Sequence, residues 1–453
     1  MSDRVRIGIF VGLFVIAAVI FAAMRSREPV YQGKKLSAWL EEGASQDVPY
    51  SSSPETQIAV RQIGTNALPF LLDMLRSQDS KAKLKLRNWF NKQDLINVRF
   101  HHSEEEQLRA VGGFYLLGEI ATPAIPELVE ISKDTNLCFY ALTALRLIGR
   151  DALPALTNAT SSTNEITREF AVNALAEMGT NAESALPLLI NFLADTNPRV
   201  RLTAAFSIFY VGTNQTELAV PALIKSLDDP DRKVANVAVN GLKLFGNKAK
   251  DAIPKLTELL GTRGLSGSSA FALASIMGTN QAISPIAGAL TNQDVRVQGT
   301  LINALGAFQA DARESVLFLI PFAQSDNEQL RRVAIQALIQ IGADKEVLLP
   351  ILIEELSDIE SMTRSQILSA LGKLGADARA AVPILIEQIK ILDSNNGQFP
   401  PQEVSDQKYY SPFPFAFSLS DSEEFKALLR IDPQAANKLK KEIDENESKS
   451  PPK

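Results

Sequence analysis

The chain has 453 residues, of which 45% are apolar and 7% aromatic, and its formal charge is −6 at pH 7. An acidic chain lacks the basic footprint of nucleic-acid-binding proteins, so we expect no nucleic-acid partner. The single cysteine, Cys138, excludes an intramolecular disulfide framework. Its place in the apolar run NLCFYALTAL predicts a buried, unreactive thiol.

Residues 7–24 form an uncharged and mostly apolar run, IGIFVGLFVIAAVIFAAM, with arginines on both sides. The run is just long enough to span a bilayer as one helix, behind a short N-terminal tail at residues 1–6. A cleaved signal peptide is the alternative. No small-x-small pair cleanly precedes the end of the run, which favours an uncleaved anchor. An arginine-bearing tail that stays inside would leave the following residues outside the cytoplasm.

Residues 25–54 are predicted to form a linker and an N-terminal cap. Leu36, Trp39 and Leu40 in KKLSAWLEEG share one face of a short helix. Such a helix would cover the exposed apolar side of the element that follows it.

The stretch at 164–196, NEITREFAVNALAEMGTNAESALPLLINFLADT, predicts two helices joined by a turn. Apolar residues from Ile166 to Met178 recur at the three- and four-residue steps of one helix face. Gly179 ends this helix, because glycine adopts left-handed backbone without a Cβ penalty. Pro187 suits the first turn of the second helix. Two such helices cannot bury their apolar faces alone, so they must stack on neighbouring copies.

The same pattern recurs about ten times between residues 55 and 396, mostly at intervals of 30 to 34 residues. In one copy Gln309 takes the glycine position, since LGAFQADARESV parallels LGKLGADARAAV. Prolines follow the turns. The glycines that mark the other copies are Gly64, Gly118, Gly149, Gly179, Gly212, Gly246, Gly278, Gly342 and Gly375.

One longer interval contains an insertion at about residues 77–103. Its apolar residues fall at helical spacing and basic residues surround them. Because the insertion is near the predicted membrane end, this basic amphipathic piece would suit anionic headgroups. A lengthened helix with a solvated basic face is the alternative. The membrane-proximal basic face consists of Lys81, Lys83, Lys85, Arg87 and Trp89.

Beyond residue 396 the repeat stops. Residues 397–443 contain a crossing segment rich in proline and aromatic residues, followed by helices that we predict as the C-terminal cap. Asp421 or Ser422 is the predicted N-cap, and Pro433 separates two helical pieces. Residues 444–453 have nothing to bury and are predicted to be disordered.

The pattern resembles HEAT repeats and, in its short period, the HEAT-like repeats of phycobilisome (PBS) lyase relatives. The resemblance rests on A-x-x-x-L-x-x-x-G cores, proline-led second helices, and acidic turns followed by basic residues, such as Asp195 before Arg199 and Arg201. It covers roughly three quarters of the chain. It implies an all-α fold, a right-handed α-solenoid of about ten helix pairs. The apolar run at residues 7–24 would precede this solenoid as one N-terminal transmembrane helix.

The segment YQGKKLSAWL followed by such units is similar to uncharacterised membrane-anchored bacterial repeat proteins. That similarity implies a single-pass protein of the bacterial inner membrane, and the arginine-bearing tail favours repeats on the periplasmic side. No catalytic constellation is found in the sequence, so we expect no enzyme activity, no cofactor and no metal. His101 and His102 adjoin each other, unlike the repeated His-Glu pairs of HEAT-like di-iron hydroxylases. Phycobilin lyases share the repeat type, which keeps a lyase-type enzyme or accessory subunit as an alternative.

Solenoids of this kind present a concave row of second helices to their ligands. In this chain the row turns acidic toward the C-terminal end, which favours a basic or polar partner segment. We therefore predict a membrane-anchored scaffold that binds a protein partner; a structural spacer without a specific ligand is a further alternative. The predicted partner-binding residues are Asn191, Lys225, Glu258, Glu354, Glu355 and Glu387, and Glu130, Asn158 and Gln388 are predicted to be exposed on the same row.

Overall fold

The computed structural model describes residues 28–43, 53–79, 102–292, 294–357, 364–394, 420 and 422–449. The chain divides into two compact units, Met1–Phe245 and Gly246–Lys453. In each unit, helix pairs stack on the pairs that precede and follow them in sequence. The all-α fold that the repeat predicts is therefore confirmed.

The first unit begins with a short hairpin of β1 (Val30–Tyr31) and β2 (Lys34–Lys35), which pair antiparallel, followed by α1 (Leu36–Gly43). The first helices of its pairs are α2 (Pro54–Ile63), α4 (Ser103–Leu117), α6 (Cys138–Ile148), α8 (Glu165–Glu177), α10 (Pro198–Val211) and α12 (Arg232–Phe245). The second helices are α3 (Leu68–Leu75), α5 (Ile125–Ile131), α7 (Leu153–Ala159), α9 (Leu186–Asn191) and α11 (Thr216–Ser226).

The second unit continues the pattern. Its second helices are α13 (Ile253–Leu259), α15 (Thr279–Gly288), α17 (Val316–Ala323), α19 (Lys345–Leu356), α21 (Val382–Ser394) and α23 (Pro433–Lys449). Its first helices are α14 (Ser266–Met277), α16 (Val295–Ala307), α18 (Glu328–Ile341), α20 (Arg364–Leu374) and α22 (Glu423–Ile431).

The turn between first and second helices differs in detail from the prediction. Gly64 and Gly118 combine φ values of 59° and 54° with ψ values of −138° and −128°, so they lie outside the left-handed helical region but still where glycine is favoured. A 3₁₀ helix such as Gly179–Ala185 then leads into the second helix. Gly212 is different, because its φ is −89° and an added Cβ would lie 2.7 Å from the Cβ of Ala219. Glycine is therefore required for its backbone conformation in most copies, and for the close approach of Ala219 in this one.

A series of polar contacts, which we call the ladder, connects consecutive copies. The side chain that makes these contacts belongs to the residue eleven positions before the turn glycine, and we call this the ladder position. At this position Arg168 donates from Nη1 to the carbonyl oxygens of Ser162 (2.9 Å) and Thr163 (3.2 Å). Its Nε lies 3.2 Å from Asp195 Oδ2 in the next turn. Asp195 in turn accepts the backbone N–H of Asn197 at 2.8 Å. Arg168 thus joins the turn before its own helix, α8, to the turn after the second helix of the same copy, α9.

Arg201 repeats the arrangement one copy later. Its Nη1 donates to the carbonyl oxygens of Asp195 (3.0 Å) and Thr196 (3.3 Å), and its Nε and Nη2 bind the Asp229 carboxylate at 2.7 and 2.9 Å. Burial disfavours the charge on Asp229, yet the hydrogen bonds from Arg201 and from the Asp231 backbone outweigh it and hold the pKa of this carboxyl below its ordinary value. The pair is nearly inaccessible, with 13% of Arg201 and 6% of Asp229 exposed.

The same position carries donors in several other copies. Arg331 donates to the carbonyl oxygen of Ser325 at 3.1 Å, and Gln107 and Gln298 donate to the carbonyl oxygens of Ser77 (2.8 Å) and Leu290 (3.0 Å). Arg364 binds Glu424 at 2.9 Å and also donates to Gln388. Small residues occupy the position in the remaining copies, and these are Ser53, Cys138, Ala235 and Gly267.

Additional elements cover both ends of the described repeats. At the N-terminal end α1 packs against α2, and Thr56 Oγ1 donates to the carbonyl oxygen of Trp39 at 3.4 Å. At the C-terminal end Ser422 caps α22 by accepting the Phe425 N–H at 3.1 Å. Helix α23 extends to Lys449, although the sequence predicts disorder from residue 444. Lysine and glutamate are strong helix formers and extend this helix beyond its last apolar residue.

Some predicted features lie outside the described residues. They are the membrane helix at 7–24, the basic face from Lys81 to Trp89, His101, and nearly all of the crossing segment. Within the described ranges, every helix is too short or too polar to cross a bilayer. The anchor and the basic face stay predictions.

Replacing Arg201 with Met should lower the free energy of unfolding by about 3 kcal/mol, because Asp229 would keep a buried charge without its partner. Arg199→Met is the matched control on the same helix, since Arg199 is exposed, and it should change stability by no more than about 0.5 kcal/mol. Urea unfolding followed by circular dichroism measures both. Equal effects of the two substitutions would contradict the role of the ladder.

Gln309 has a φ of 53°, which costs a residue with a Cβ about 1–3 kcal/mol. Gln309→Gly should therefore stabilise the protein by about 1 kcal/mol, after allowance for the greater freedom of the unfolded glycine. Thermal unfolding checks this. Gly179→Ala is the control that introduces the same strain. Its added Cβ meets nothing within 4 Å, so any loss of stability comes from backbone strain alone. A destabilised Gln309→Gly variant would disprove the strain argument.

Candidate functional site

Most of the second helices carry an exposed polar residue four positions after their proline, although α15 has Ala289 there. Because residues i and i+4 lie on the same helix face, the proline and this side chain point the same way. In the first unit the position holds Asp73, Glu130, Asn158, Asn191 and Lys225, and in the second unit it holds Glu258, Glu354 and Glu387 in three copies. The position is mixed in charge in the first unit and acidic in these copies of the second.

Helix α17 breaks this rule and places apolar side chains on the surface. Leu317 stands where the other copies have proline and is 75% exposed, and its neighbour Phe318 is 51% exposed. Pro321 occupies the position that is usually polar. A contiguous exposed apolar patch with a polar rim is a candidate interaction surface.

Carboxylates lie on the helices before and after this apolar pair. Glu258 on α13 precedes it by two second helices, and Glu354 on α19 and Glu387 on α21 follow it. Glu258 is 68% exposed and binds Lys255 Nζ at 3.0 Å. We define the second-helix face of the second unit as Glu258, Leu317, Phe318, Glu354 and Glu387.

Two residues predicted on this row point into the protein instead. Glu355 is 5% exposed, and its Oε2 accepts from Arg331 Nε at 2.9 Å. Gln388 is also 5% exposed, and its Nε2 donates to the carbonyl oxygen of Leu356 at 2.6 Å. Each directly follows an exposed glutamate, and successive helical residues are rotated by about 100°. Glu355 and Gln388 therefore belong to the ladder between copies and not to the exposed row.

The remaining predicted residues, Asn191, Lys225, Glu258, Glu354 and Glu387, are exposed at equivalent positions. Asn191 and Lys225 lie in the first unit, and the three glutamates lie in the second. The sequence analysis did not predict that Leu317 and Phe318 are exposed, since an apolar run such as VLFLIPFA predicts burial. The one indication in the sequence is that Leu317 stands where the other second helices have proline.

The titratable groups of the described residues offer little chemistry. Burial raises the pKa of the Cys138 thiol against the hydrogen bonds that lower it, so this thiol stays protonated. His102 Nδ1 lies 3.6 Å from Asp79 Oδ2. Among the residues that the structure describes, three or more metal-ligating side chains come together nowhere.

Glu355→Ala should destabilise the protein by about 3 kcal/mol, because Arg331 would be left with an uncompensated charge in a mostly buried place. Glu354→Ala removes an exposed carboxylate one residue away and should leave stability within about 0.5 kcal/mol. The two unfolding midpoints in urea provide the measurement. A larger loss for Glu354→Ala would contradict the assignment of Glu355 to the ladder.

Comparison with known proteins supports the architecture. A family model described as HEAT repeats matches residues 121–209 and 186–266. Importin beta, crystallised in a polyethylene glycol condition, is 13% identical with a TM-score of 0.50, over 91% of this chain and 61% of that chain. Yeast importin-beta (Kap95p) is 14% identical with a TM-score of 0.48, over 98% and 68% of the two chains. At these identities the likeness concerns the fold alone.

The CpcE–CpcF complex of phycocyanin lyase from Nostoc sp. PCC7120 is also similar, with 21% identity and a TM-score of 0.28 over 49% of this chain and 94% of that chain. No curated protein sequence matches this chain.

Proposed function

Because this chain carries HEAT repeats, as its sequence pattern indicates, we propose that it is a scaffold that binds a protein partner through the second-helix face of the second unit. The observation that carries the proposal is the exposure of Leu317 and Phe318 on α17, with exposed carboxylates on α19 and α21 after it and on α13 two second helices before it. Covering apolar surface gains about 25 cal/mol per Å². A partner that buries these two side chains therefore has a central anchor of the kind found at binding hot spots.

The charges of the face determine what kind of segment suits it. Glu354 and Glu387 lie on consecutive second helices, which stack at about 10 Å, and Glu258 lies three second helices before Glu354. A partner segment with a large apolar residue near its centre and lysine or arginine on both sides complements this arrangement. Exposed charges of this kind mainly speed association and fix orientation, so binding should weaken as salt increases.

The ladder contributes to binding indirectly. Arg331 and Arg364 connect α18 and α20 to the turns beside them, which orders the second helices before any partner arrives. A face that is ordered in advance loses less conformational entropy when it binds. The proposed mechanism is therefore docking onto a preformed surface, without a chemical step.

The proposal includes the predicted anchor. Residues 7–24 would hold the scaffold at the bacterial inner membrane, with the repeats on the periplasmic side. A partner would then meet the second-helix face close to the membrane, where anchoring raises its effective concentration.

The test places a photoreactive residue in the full chain, in cells, at Leu317 or Glu354. Ser369 on first helix α20 is the matched control, because it is also exposed and lies in the same unit. We expect one discrete cross-linked protein from both second-helix sites and none from Ser369. Phe318→Asp should reduce its yield at least tenfold, since truncation of a hot spot costs about 2 kcal/mol or more.

Glu354→Lys combined with Glu387→Lys should reduce the same cross-link and its salt sensitivity. Capture only from Ser369, or a cross-link that survives Phe318→Asp and both charge reversals, would overturn the proposed function. Unfolding midpoints equal to that of the wild type establish that each variant is folded.

A further inference from the structure

Two first helices of the first unit, α10 and α12, expose large apolar side chains on one side. Phe206 and Tyr210 on α10 are 48 and 44% exposed, and Leu244 on α12 is 62% exposed. The rings of Phe206 and Tyr210 lie 4.9 Å apart between their centroids. A contiguous exposed apolar patch is a candidate for contact with a partner, and the charges beside it indicate which partner fits.

The two helices lie side by side and in register. They pack against each other, and the ring centroids of Phe209 on α10 and Phe245 on α12 are 5.7 Å apart. Each helix has 14 residues, and the helices begin at residues 198 and 232, which are 34 positions apart. Residues 34 positions apart therefore occupy equivalent places on the two helices, as Tyr210 and Leu244 do.

The cations of this surface lie at one end of it. Arg199 on α10 and Lys233 on α12 are equivalent residues, and both are exposed. Arg199 precedes Phe206 and Tyr210 by seven and eleven residues, and Lys233 precedes Leu244 by eleven. These spacings return to the same side of a helix and correspond to about 10 and 16 Å along its axis. The surface therefore has a cationic end and, two to three helical turns away, an apolar end.

The two helices themselves carry no carboxylate, because their sequences PRVRLTAAFSIFYV and RKVANVAVNGLKLF contain neither Asp nor Glu. In the turns before them, Asp195 and Asp229 are bound by the ladder arginines. Asp228 and Asp231 also precede α12, and Asp231 accepts the backbone N–H of Lys233 at 2.8 Å. These two carboxylates are outnumbered by four cations outside the ladder, which leaves a net charge of +2; the four are Arg199, Arg232, Lys233 and Lys243.

Carboxylates on the neighbouring helix α8 limit the width of the cationic area. Helix α10 packs against α8 as well as α12, and α8 carries Glu165, which is exposed, and Glu169, which is half-buried. Glu165 Oε2 accepts from Asn197 Nδ2 at 2.7 Å. A flat anionic membrane would meet these carboxylates together with the cations. A ligand as narrow as a single helix lies over α10 and α12 and avoids them.

We propose that this surface, the α10–α12 face, binds an acidic amphipathic helix of a partner protein. The face consists of Arg199, Phe206, Tyr210, Lys233 and Leu244. A helix in the groove between α10 and α12 places carboxylates of its first turn beside the two cations. Its apolar residues seven and eleven positions later then meet the apolar end of the face. Acidic residues also stabilise the first turn of their own helix, so the partner helix runs parallel to α10.

The α10–α12 face is independent of the function proposed for the second unit, because it uses other helices and the opposite charge. The second-helix face suits a segment with lysine or arginine, whereas the α10–α12 face suits one with aspartate or glutamate. One chain would thus present two recognition surfaces whose ligands do not compete.

The test uses the full chain in a mild detergent and two labelled peptides, with binding followed by fluorescence anisotropy. The acidic peptide is a helix-forming sequence of about 16 residues, with two glutamates in its first turn and leucine and phenylalanine seven and eleven positions later. The basic peptide has lysines in place of the glutamates. We expect the wild type to bind the acidic peptide about tenfold more tightly than the basic one at low salt. Arg199→Glu combined with Lys233→Glu should reverse this preference.

The reversal is the decisive result, because a misfolded double variant would lose both peptides. Phe206→Ala should weaken both peptides by a similar factor, since it removes apolar contact and no charge. Lys373→Glu on α20 is the matched control, an exposed lysine on a first helix of the other unit, and it should leave both affinities unchanged.

Three results would overturn the proposal. They are a wild type that binds neither peptide or both equally, a double variant that keeps the wild-type preference, and displacement of the acidic peptide when phosphatidylglycerol is added to the detergent micelles. The last result would assign the surface to an anionic membrane. Failure of any of these tests leaves the second-helix face untouched, because its own cross-links are measured at Leu317 and Glu354.

Discussion

The buried arginine–carboxylate ladder is the interaction on which the order of this repeat protein depends. Arg168 and Arg201 each donate to backbone carbonyls of the turn before their helix and to a carboxylate of a following turn, so one guanidinium joins two turns. Charges such as those of Arg201 and Asp229 are costly to bury and are tolerated only when fully paired. The geometry of neighbouring copies is thereby specified more narrowly than apolar packing alone would specify it.

The repeat itself could be derived from the sequence. Glycine and proline restrict the backbone wherever they occur, so their spacing reveals the period even in divergent copies, and Gln309 was placed correctly because its neighbours parallel those of Gly375. The prediction of HEAT repeats is confirmed. The 3₁₀ connections were not foreseen, because their short runs leave no periodic signal.

Side-chain direction was harder to predict than the fold. Glu354 and Glu355 are chemically identical neighbours, and only the orientation of helix α19 decides that one is exposed and the other is paired with Arg331. Leu317 and Phe318 were missed for the opposite reason, since an apolar residue in a helix predicts burial. Burial depends on which helix packs beside the residue, and one sequence does not contain that information directly.

The ladder is not uniform, and its gaps have a mechanical meaning. Ala235 stands at the ladder position of α12, the last helix of the first unit. An alanine cannot make the charged cross-link that Arg201 makes one copy earlier. Hydrogen bonds and ion pairs between neighbouring helices resist their relative movement, so α12 lacks a restraint that Arg201 supplies to α10. The stiffness of the contact between neighbouring copies therefore depends on one side chain in each copy, and it is greater where that side chain is an arginine.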